Sequence, residues 1–190
     1  MNTLDKIAIT SRSFSANKYL VDELRSRYTN ITLNNSGKTL VGADLLEFLD
    51  GQNKVIVGLE NFDKNLIDQL PELKVISKFG VGLNNIDLKS MKEHSMSLGF
   101  QPGTNKQSVA ELALMHMFIA LRKAPSSKED ISNNIWSQSK GHELFGKSIG
   151  IIGFGNIGQR LAELLEPFKC KIIFYDDIEF SKEDLVTKFS

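Results

Sequence analysis

Cysteine is nearly absent from this chain: Cys170 is the only one in 190 residues. An intrachain disulfide is therefore excluded, and a reducing compartment such as the cytoplasm is expected. Excess charge is absent as well, because 23 Lys and Arg residues balance 23 Asp and Glu residues. A chain without surplus positive charge gives no reason to expect nucleic acid or an anionic membrane as a partner.

Long apolar segments are also missing. The longest, residues 109–121, is interrupted by Glu111 and His116 and is too short to span a bilayer. The first six residues lack a basic region followed by an apolar core, so no signal peptide is expected. A hydrophobic content of 41% is typical of a globular protein.

The first hundred residues alternate between strand and helix patterns, which predicts a mostly parallel sheet covered by helices. The predicted strands are 6–10, 31–33, 54–57, 74–77 and 96–100, and the predicted helices are 16–27, 40–50, 64–69 and 88–94. Pro102 and Gly103 then interrupt the chain. We therefore predict one domain over residues 1–103 and a second over residues 104–190.

A long helix is predicted over residues 105–123. Its central part, residues 109–121, is apolar nearly all round, which indicates burial between domains or between subunits. The polar stretch 124–146 is predicted to be a connector. Near the end of the sequence, Ser181 and Asp184 have the spacing of a capping box, which predicts a further helix start.

A glycine-rich turn is the most informative feature of the second domain. Residues 148–152 form a short apolar run that suits a strand buried on both faces. Gly153 permits a tight turn, Gly155 lets the backbone approach a pyrophosphate, and Gly158 allows a helix to pack closely on the strand. The helix is predicted to begin near Asn156, where its free amides favour a diphosphate.

The next apolar run, residues 171–175, predicts a second strand that is followed by Asp176. An acid about 20 residues beyond the glycines hydrogen-bonds the ribose hydroxyls of a dinucleotide and disfavours a 2′-phosphate. The pattern therefore predicts a Rossmann-type unit that binds NAD rather than NADP. A glycine-rich turn without a ligand is the alternative.

Three segments together resemble the D-isomer-specific 2-hydroxyacid dehydrogenases, most closely their phosphoglycerate dehydrogenase-like members. They are residues 76–87, residues 102–113, and residues 144–148 continuing into the glycine-rich turn. The resemblance implies an α/β fold with a flavodoxin-like parallel-sheet substrate domain and an incomplete Rossmann dinucleotide-binding domain. It also implies a small 2-hydroxy acid as substrate, with 3-phosphoglycerate among the candidates.

The resemblance implies roles for particular residues. The substrate carboxylate would be received by the loop of Lys78, Phe79, Gly80, Val81 and Gly82. The cofactor contacts would be Val81, Asn156, Ile157 and Asp176, besides the three glycines of the turn. In the family this loop lies beside the nicotinamide, and backbone amides that two glycines leave open can bind a carboxylate without a counter-ion.

The sequence departs from the family pattern in several places. The family usually has Asp where Asn84 stands, often has Arg at Asn156, and commonly has Asn at Phe100. It supplies an orienting Arg and a Glu–His pair later in the dinucleotide domain, and these motifs are not found here. We therefore predict no catalytic residue and no metal site, and expect structural or solvated roles for His94, His116 and His142, and an idle thiol at Cys170.

Three functional hypotheses remain open. The first is a dehydrogenase that is truncated within its NAD domain, inactive over these 190 residues and prone to associate. The second is a catalytically dead NAD-binding or dimerisation module that pairs, through the 109–121 helix, with another copy or an intact homologue. The third is a different enzyme class with the same fold, such as the alanine dehydrogenases or the adenosylhomocysteine hydrolases, which the first two motifs disfavour.

Overall fold

The computed structural model describes residues 2–178, with side chains from residue 4 onward. The helix start predicted at Ser181 lies outside these residues. The chain divides into two compact units, Met1–Pro102 and Gly103–Ser190. Each unit contains its own parallel sheet and its own apolar core.

The first unit is built on a five-stranded parallel sheet. Its strands are β1 (Asn2–Ile9), β2 (Tyr28–Leu33), β3 (Lys54–Val57), β4 (Val75–Lys78) and β5 (Ser97–Gly99). The spatial order is β2-β1-β3-β4-β5, so the chain reverses its direction of winding between β1 and β3. All five predicted strands are confirmed in position, with shifts of a few residues at their ends.

Five helices connect these strands: α1 (Arg12–Ser15), α2 (Lys18–Arg25), α3 (Gly42–Leu49), α4 (Lys64–Asp68) and α5 (Leu88–Glu93). The single helix predicted over residues 16–27 is wrong in its first part. Asn17 begins α2 as an N-cap whose side-chain oxygen accepts from the backbone N–H of Leu20 at 3.2 Å. A separate short helix, capped by Ser11, precedes it.

The core of the first unit lies around its central strands. Val55, Val57 and Ile76 are at most 1% exposed, and they pack with apolar residues of α3 and α4 such as Leu49 and Ile67. Burying one side chain of this size contributes roughly 1.5–3 kcal/mol relative to leaving it exposed. The apolar strands predicted from the sequence therefore form the centre of this core, and the helices and loops around them supply most of its residues.

The second unit contains a two-stranded parallel sheet of β6 (Ser148–Ile152) and β7 (Lys171–Tyr175). Its helices are α6 (Lys106–Arg122), α7 (Ala124–Ser132) and α8 (Asn156–Leu165), and a short 3-10 turn follows at Glu166–Phe168. The positions of both strands and the start of α8 are confirmed. Helices α6 and α8 pack together, and Ile151, Leu161 and Leu165 join Ala110 in the core.

The composition of strand 148–152 suits burial on both faces, but among the described residues only one face of the strand is covered. Ile151 is 8% exposed, whereas the next residue, Ile152, is 91% exposed. Ile173 and Tyr175 are exposed beside it, because they share its face of the sheet. Helices of the described residues thus cover one face of this sheet, and the other face is open.

Ala110 is the one buried residue of α6, and Leu112, Met115 and Phe118 on it are exposed in the single chain, so its burial between domains or subunits stays a prediction. One further prediction in this unit needs correction. The predicted connector 124–146 begins with helix α7 because Pro125 fits the first turn of a helix, where no N–H partner is needed. None of the helices in the described part of the chain is long and apolar enough to cross a membrane.

Candidate functional site

The first unit has a cleft of about 780 Å³ at the carboxyl ends of its strands. Segments that follow β1, β3 and β4 line it, and they include 11–13, 58–60 and 78–82. In open parallel sheets, ligands bind outside the carboxyl ends of the strands where the strand order reverses, which here is between β1 and β3. The cleft is therefore the expected ligand site of this unit.

The loop that follows β4 brings all five of its predicted substrate-binding residues to this cleft. Gly80 adopts a φ of 153°, which L side chains rarely reach, and no atom lies within 4 Å of the place where a Cβ on Gly82 would be. Among the described residues, no hydrogen bond partner is found for the amides of Gly80, Val81 and Gly82. These three amides are available to an anion.

Phe79 contributes differently from its neighbours. Its amide already donates to the carbonyl of Val57 at 2.8 Å, which extends the pairing of β3 and β4. Its ring stands edge-on to the ring of Phe14, with centroids 5.2 Å apart. Phe79 therefore fixes the loop against α1, and its backbone does not offer an amide to a ligand.

Lys78 anchors the same loop through its side chain. Its Nζ donates to the carbonyl of Gly58 at 2.5 Å and to Oδ1 of Asn85 at 2.7 Å. Burial lowers the pKa of Lys78 below its usual 10.5, and the nearby Glu60 carboxylate partly opposes this. The ammonium thus ties the ends of β3 and β4 together at the wall of the cleft.

Two charged residues of the cleft, Arg12 and Glu60, are missed by the sequence analysis. Glu60 is only 2% exposed, and its Oε2 accepts from the hydroxyl of Thr10 and from the amide of Gly58, both at 2.9 Å. Arg12 follows β1 and lies beside Gly37, which also lines the cleft. Their place after the first and third predicted strands is the signal that could have indicated them.

The glycine-rich turn of the second unit has the geometry that its sequence predicts. Gly153 has a φ of 89°, and its amide donates to the carbonyl of Tyr175 at 2.8 Å. A Cβ on Gly158 would lie 2.3 Å from the carbonyl oxygen of Gly153, so only glycine allows α8 to approach β6 this closely. A Cβ on Gly155, in contrast, would meet no atom within 4 Å.

The start of helix α8 is open to an anionic group. Gly155 is the N-cap and supplies no side-chain acceptor to the first amides of the helix. Asn156 is exposed, and its side chain lies against Gly103, where a Cβ would be 2.9 Å from its Cγ. Ile157 is half-buried at the same turn. A ten-residue helix with uncapped amides and a positive dipole end suits a diphosphate.

Asp176 closes the site from the end of β7. Its Oδ2 accepts from the amide of Phe154 within the glycine-rich turn, and its Oδ1 accepts from the amide of Ile178 at 3.1 Å. The carboxylate is half-buried and therefore remains accessible. Open space at Gly155, free helix amides and an accessible acid together fit a dinucleotide with an unmodified ribose.

His94 and Cys170 have structural surroundings, whereas His116 and His142 are exposed. Nδ1 of His94 lies 2.9 Å from the carbonyl oxygen of Ser90, and its Nε2 lies 3.3 Å from Oδ1 of Asp68. The thiol of Cys170 is half-buried and donates to the carbonyl of Leu144 at 3.4 Å. The part of the chain that the structure describes contains no group of three or more residues suited to a metal ion.

Comparisons with known proteins show which family this chain resembles. The model of the family "D-isomer specific 2-hydroxyacid dehydrogenase, catalytic domain" matches residues 7–189. A hydroxypyruvate reductase of Thermotoga maritima is 38% identical over 133 residues, which are 66% of this chain and 44% of that protein.

Solved structures show the same fold. A putative D-isomer specific 2-hydroxyacid dehydrogenase from Polaromonas has a TM-score of 0.81 at 22% identity. The match covers 94% of this chain and 57% of the Polaromonas chain. The NAD-dependent formate dehydrogenase of Staphylococcus aureus, in complex with NAD, has a TM-score of 0.72 at 28% identity, with coverages of 92% and 57%. The chain thus spans less than half the length of that Thermotoga relative and somewhat over half of these two structures.

Proposed function

The chain belongs to the family of D-isomer specific 2-hydroxyacid dehydrogenases, and on that premise we propose that it binds NAD and a small 2-hydroxy or 2-keto acid. The acid occupies the cleft of the first unit, and the dinucleotide occupies the glycine-rich turn of the second. The observation that carries the proposal is the pair of open backbone sites, the amides of residues 80–82 and the turn at Gly155.

The substrate carboxylate is received by the amides of Gly80, Val81 and Gly82. Backbone amides stabilise an anion without a counter-ion, and these amides keep their geometry because the loop is anchored where it begins. Lys78 fixes the beginning of the loop to Gly58, and Phe79 fixes it to Phe14. The loop is therefore preorganised, which reduces the entropy lost on binding.

Gly155 and the first amides of α8, at Asn156 and Ile157, would hold the pyrophosphate of NAD, and Asp176 would hold its adenosine ribose. When bound, NAD supplies the nicotinamide that accepts or donates a hydride. Asp176 accepts from the ribose hydroxyls and repels a 2′-phosphate, so that NAD is preferred over NADP. The NAD complex of the formate dehydrogenase from Staphylococcus aureus, a protein of the same fold, supports this assignment.

The role of Asp176 is tested with two substitutions and one control, using calorimetric titration of NAD and NADP. Asp176→Asn keeps an oxygen that accepts from the amide of Phe154 but removes the negative charge, whereas Asp176→Ala removes both. We expect Asp176→Asn to lower the affinity for NAD by about tenfold, which is the contribution of one charge-assisted hydrogen bond. The variant should also discriminate less against NADP. Asp176→Ala is expected to lower the affinity for NAD further, because the turn also loses the hydrogen bond from the amide of Phe154.

Asp177→Asn is the matched control, because Asp177 is an exposed neighbour that carries the same charge. It should leave both affinities unchanged. Equal losses from Asp176→Asn and Asp177→Asn would show that only the local net charge matters, and unchanged affinities in Asp176→Asn would refute the ribose role.

We further propose that these 190 residues bind their ligands without turnover. Reduction of a keto acid needs a cation that orients the carbonyl and an acid that protonates its oxygen. His94 is engaged with Ser90 and Asp68 and does not line the cleft, so it does not act as this acid. Absence of NADH oxidation with glyoxylate or hydroxypyruvate, under conditions where NADH binds, is the expected result.

A second candidate function is association through helix α6, with another copy or with an intact relative. Its Leu112, Met115 and Phe118 side chains are 49%, 45% and 37% exposed, which leaves an apolar strip on a helix of 17 residues. The oligomeric state measured by light scattering tests this candidate. Met115→Glu should shift the chain toward the monomer, whereas Val41→Glu, which charges an exposed apolar site of the first unit, should not.

We also propose that the protein works in the cytoplasm. The single thiol, held at Leu144 without a disulfide partner, suits a reducing compartment.

A further inference from the structure

We propose that Arg12 binds a second anionic group of the substrate, a phosphate or a second carboxylate, and so selects acids that carry charge at both ends. This inference rests on the proposed function, because it assumes that the first carboxylate binds to the amides of residues 80–82. It adds a specificity residue that follows a different strand and lines the same cleft.

The position of Arg12 follows from the strand order. Arg12 lies three residues beyond the end of β1, near the point between β1 and β3 where the winding reverses, and the loop 78–82 lies at the end of β4. Strand β3 separates β1 from β4, so the two segments begin about 10 Å apart, or two strand spacings. The described contact of the Arg12 side chain is with Gly37, which follows β2, and the cleft extends from Gly37 to the loop 78–82. An acid that binds the loop amides through its carboxylate therefore needs a second anionic group at its far end to reach the guanidinium.

Arg12 is the cation of the cleft whose donors are least committed. Its described contact is one hydrogen bond from Nη1 to the carbonyl of Gly37, which at 3.4 Å is long, and a guanidinium has five N–H donors. Lys78, the other cation of the cleft, already donates to Gly58 and Asn85. The planar fork of an arginine binds a phosphate or carboxylate in a bidentate manner, which suits this role.

Competition from an acidic side chain of the cleft is small. Glu60 is the one carboxylate among the residues that line it, and both hydrogen bonds to its Oε2 come from Thr10 and Gly58 within the wall. The negative charge of Glu60 attracts the Lys78 ammonium and raises the pKa of Lys78, against the effect of burial. The described salt bridges do not include Arg12. The positive charge of Arg12 is therefore left for a ligand.

The two anion sites are held at a fixed separation. Helix α1, which Arg12 begins, carries Phe14, and the ring of Phe14 packs edge-on against Phe79 of the substrate loop. On its other side, Ser11 lies so close to Gly58 that a Cβ there would be 3.0 Å from the Ser11 hydroxyl oxygen. The segment that carries Arg12 is thus packed against the ends of both β3 and β4, and this makes its distance to the loop amides a property of the fold.

The test compares ligands that differ only in the second anionic group. D-glycerate and 3-phospho-D-glycerate form one pair, and D-lactate and D-malate form the other. Each is titrated calorimetrically into the full 190-residue chain and into the variants Arg12→Gln and Arg25→Gln. Arg25 is the matched control because it is an exposed arginine of α2, outside the cleft.

We expect the wild-type chain to bind the doubly anionic member of at least one pair about tenfold more tightly than its partner, as one charge-assisted contact provides. Arg12→Gln should abolish that preference without changing the affinity for D-glycerate or D-lactate, and Arg25→Gln should retain it. Preference for the phosphate in the first pair or for the carboxylate in the second identifies which group is selected.

Four results would overturn the inference. If the wild-type chain binds D-glycerate but shows no preference in either pair, or if Arg12→Gln keeps the preference, Arg12 does not read a second anion. If Arg12→Gln weakens all four acids equally, the residue supports the cleft in general. Failure of all four acids to bind the wild-type chain would refute the proposed function itself, and the inference with it.

A second measurement does not depend on the folding of a variant. In the wild-type chain, the Nε–Hε resonance of Arg12 should shift on addition of 3-phospho-D-glycerate or D-malate and stay in place with the singly charged partner. An unshifted resonance at saturation would contradict the proposal.

Discussion

The two parallel sheets of this protein are built from similar apolar strands and differ in how much of them is buried. In the five-stranded sheet, Val55, Val57 and Ile76 are at most 1% exposed. In the two-stranded sheet, Ile151 is 8% exposed and its neighbour Ile152 is 91% exposed. Apolar composition thus predicts the strand in both units, but it predicts burial only where other elements cover both faces.

The comparison extends to the way each unit forms its candidate site. The cleft of the first unit is assembled from segments that follow three different strands, so it depends on the order of the sheet. The site of the second unit lies almost entirely within one strand-turn-helix-strand segment, from Gly153 to Asp176. A site of the second kind is visible in the sequence as a motif, whereas a site of the first kind is not.

The largest difference between the sheets should appear on truncation of one isoleucine in each. Ile76→Ala creates a cavity in a fully buried core and should destabilise the first unit by about 3–4 kcal/mol, whereas Ile152→Ala should change stability by less than about 0.5 kcal/mol. Hydrogen exchange measured by mass spectrometry reads the two units separately. Similar losses of protection in both variants would show that Ile152 is buried in solution. The two sheets would then not differ in burial.

A smaller effect should separate folding from binding within the glycine-rich turn. Gly158→Ala forces a Cβ to within 2.3 Å of the Gly153 oxygen and should destabilise the second unit by about 2–3 kcal/mol. Gly155→Ala has room for its methyl group and should lower the unfolding free energy by about 1 kcal/mol or less. The same substitution should lower the affinity for NAD by about tenfold or more. Thermal melting and NAD titration of both variants give the two readouts. The reverse pattern would mean that Gly155 serves the fold and Gly158 the ligand.

The smallest effect concerns the charge at the wall of the cleft. Because burial lowers the pKa of Lys78, the unfolded chain binds more protons than the folded chain between that lowered pKa and 10.5. The unfolding free energy of the wild type should therefore rise with pH in this window relative to Lys78→Met. Urea unfolding of both proteins near pH 8 and near pH 10 measures the difference. A difference that stays constant or falls with pH would contradict the burial of the ammonium.

Much of the fold could be predicted from the sequence because local patterns decide it. The strands 54–57, 148–152 and 171–175 are found at the predicted bounds, since short apolar runs between polar turns have few other solutions. Helices that depend on capping were harder to predict. The break at Asn17 and the helix that follows Lys123 arise from a side-chain cap and a left-handed residue, which hydrophobic spacing does not reveal.

The two candidate sites also differ in how far the sequence predicts them. Gly153, Gly155, Gly158 and Asp176 are close in the chain, and their spacing alone indicates their arrangement. Arg12 and Glu60 come together with Lys78 only because β1, β3 and β4 are neighbours in the sheet. Their contribution to the cleft depends on tertiary pairing, and their place after predicted strands is the one signal that the sequence offers for them.

The hydrogen bond between Asp176 and the amide of Phe154 has a consequence for the redesign of cofactor preference. The same carboxylate that would exclude a 2′-phosphate also holds the turn that would receive the pyrophosphate. A substitution chosen only to admit the extra phosphate therefore loosens the opposite end of the cofactor site. Libraries that aim at an NADP-using variant should retain an oxygen at position 176, as in Asn or Ser, and place the new positive charge on a neighbouring residue.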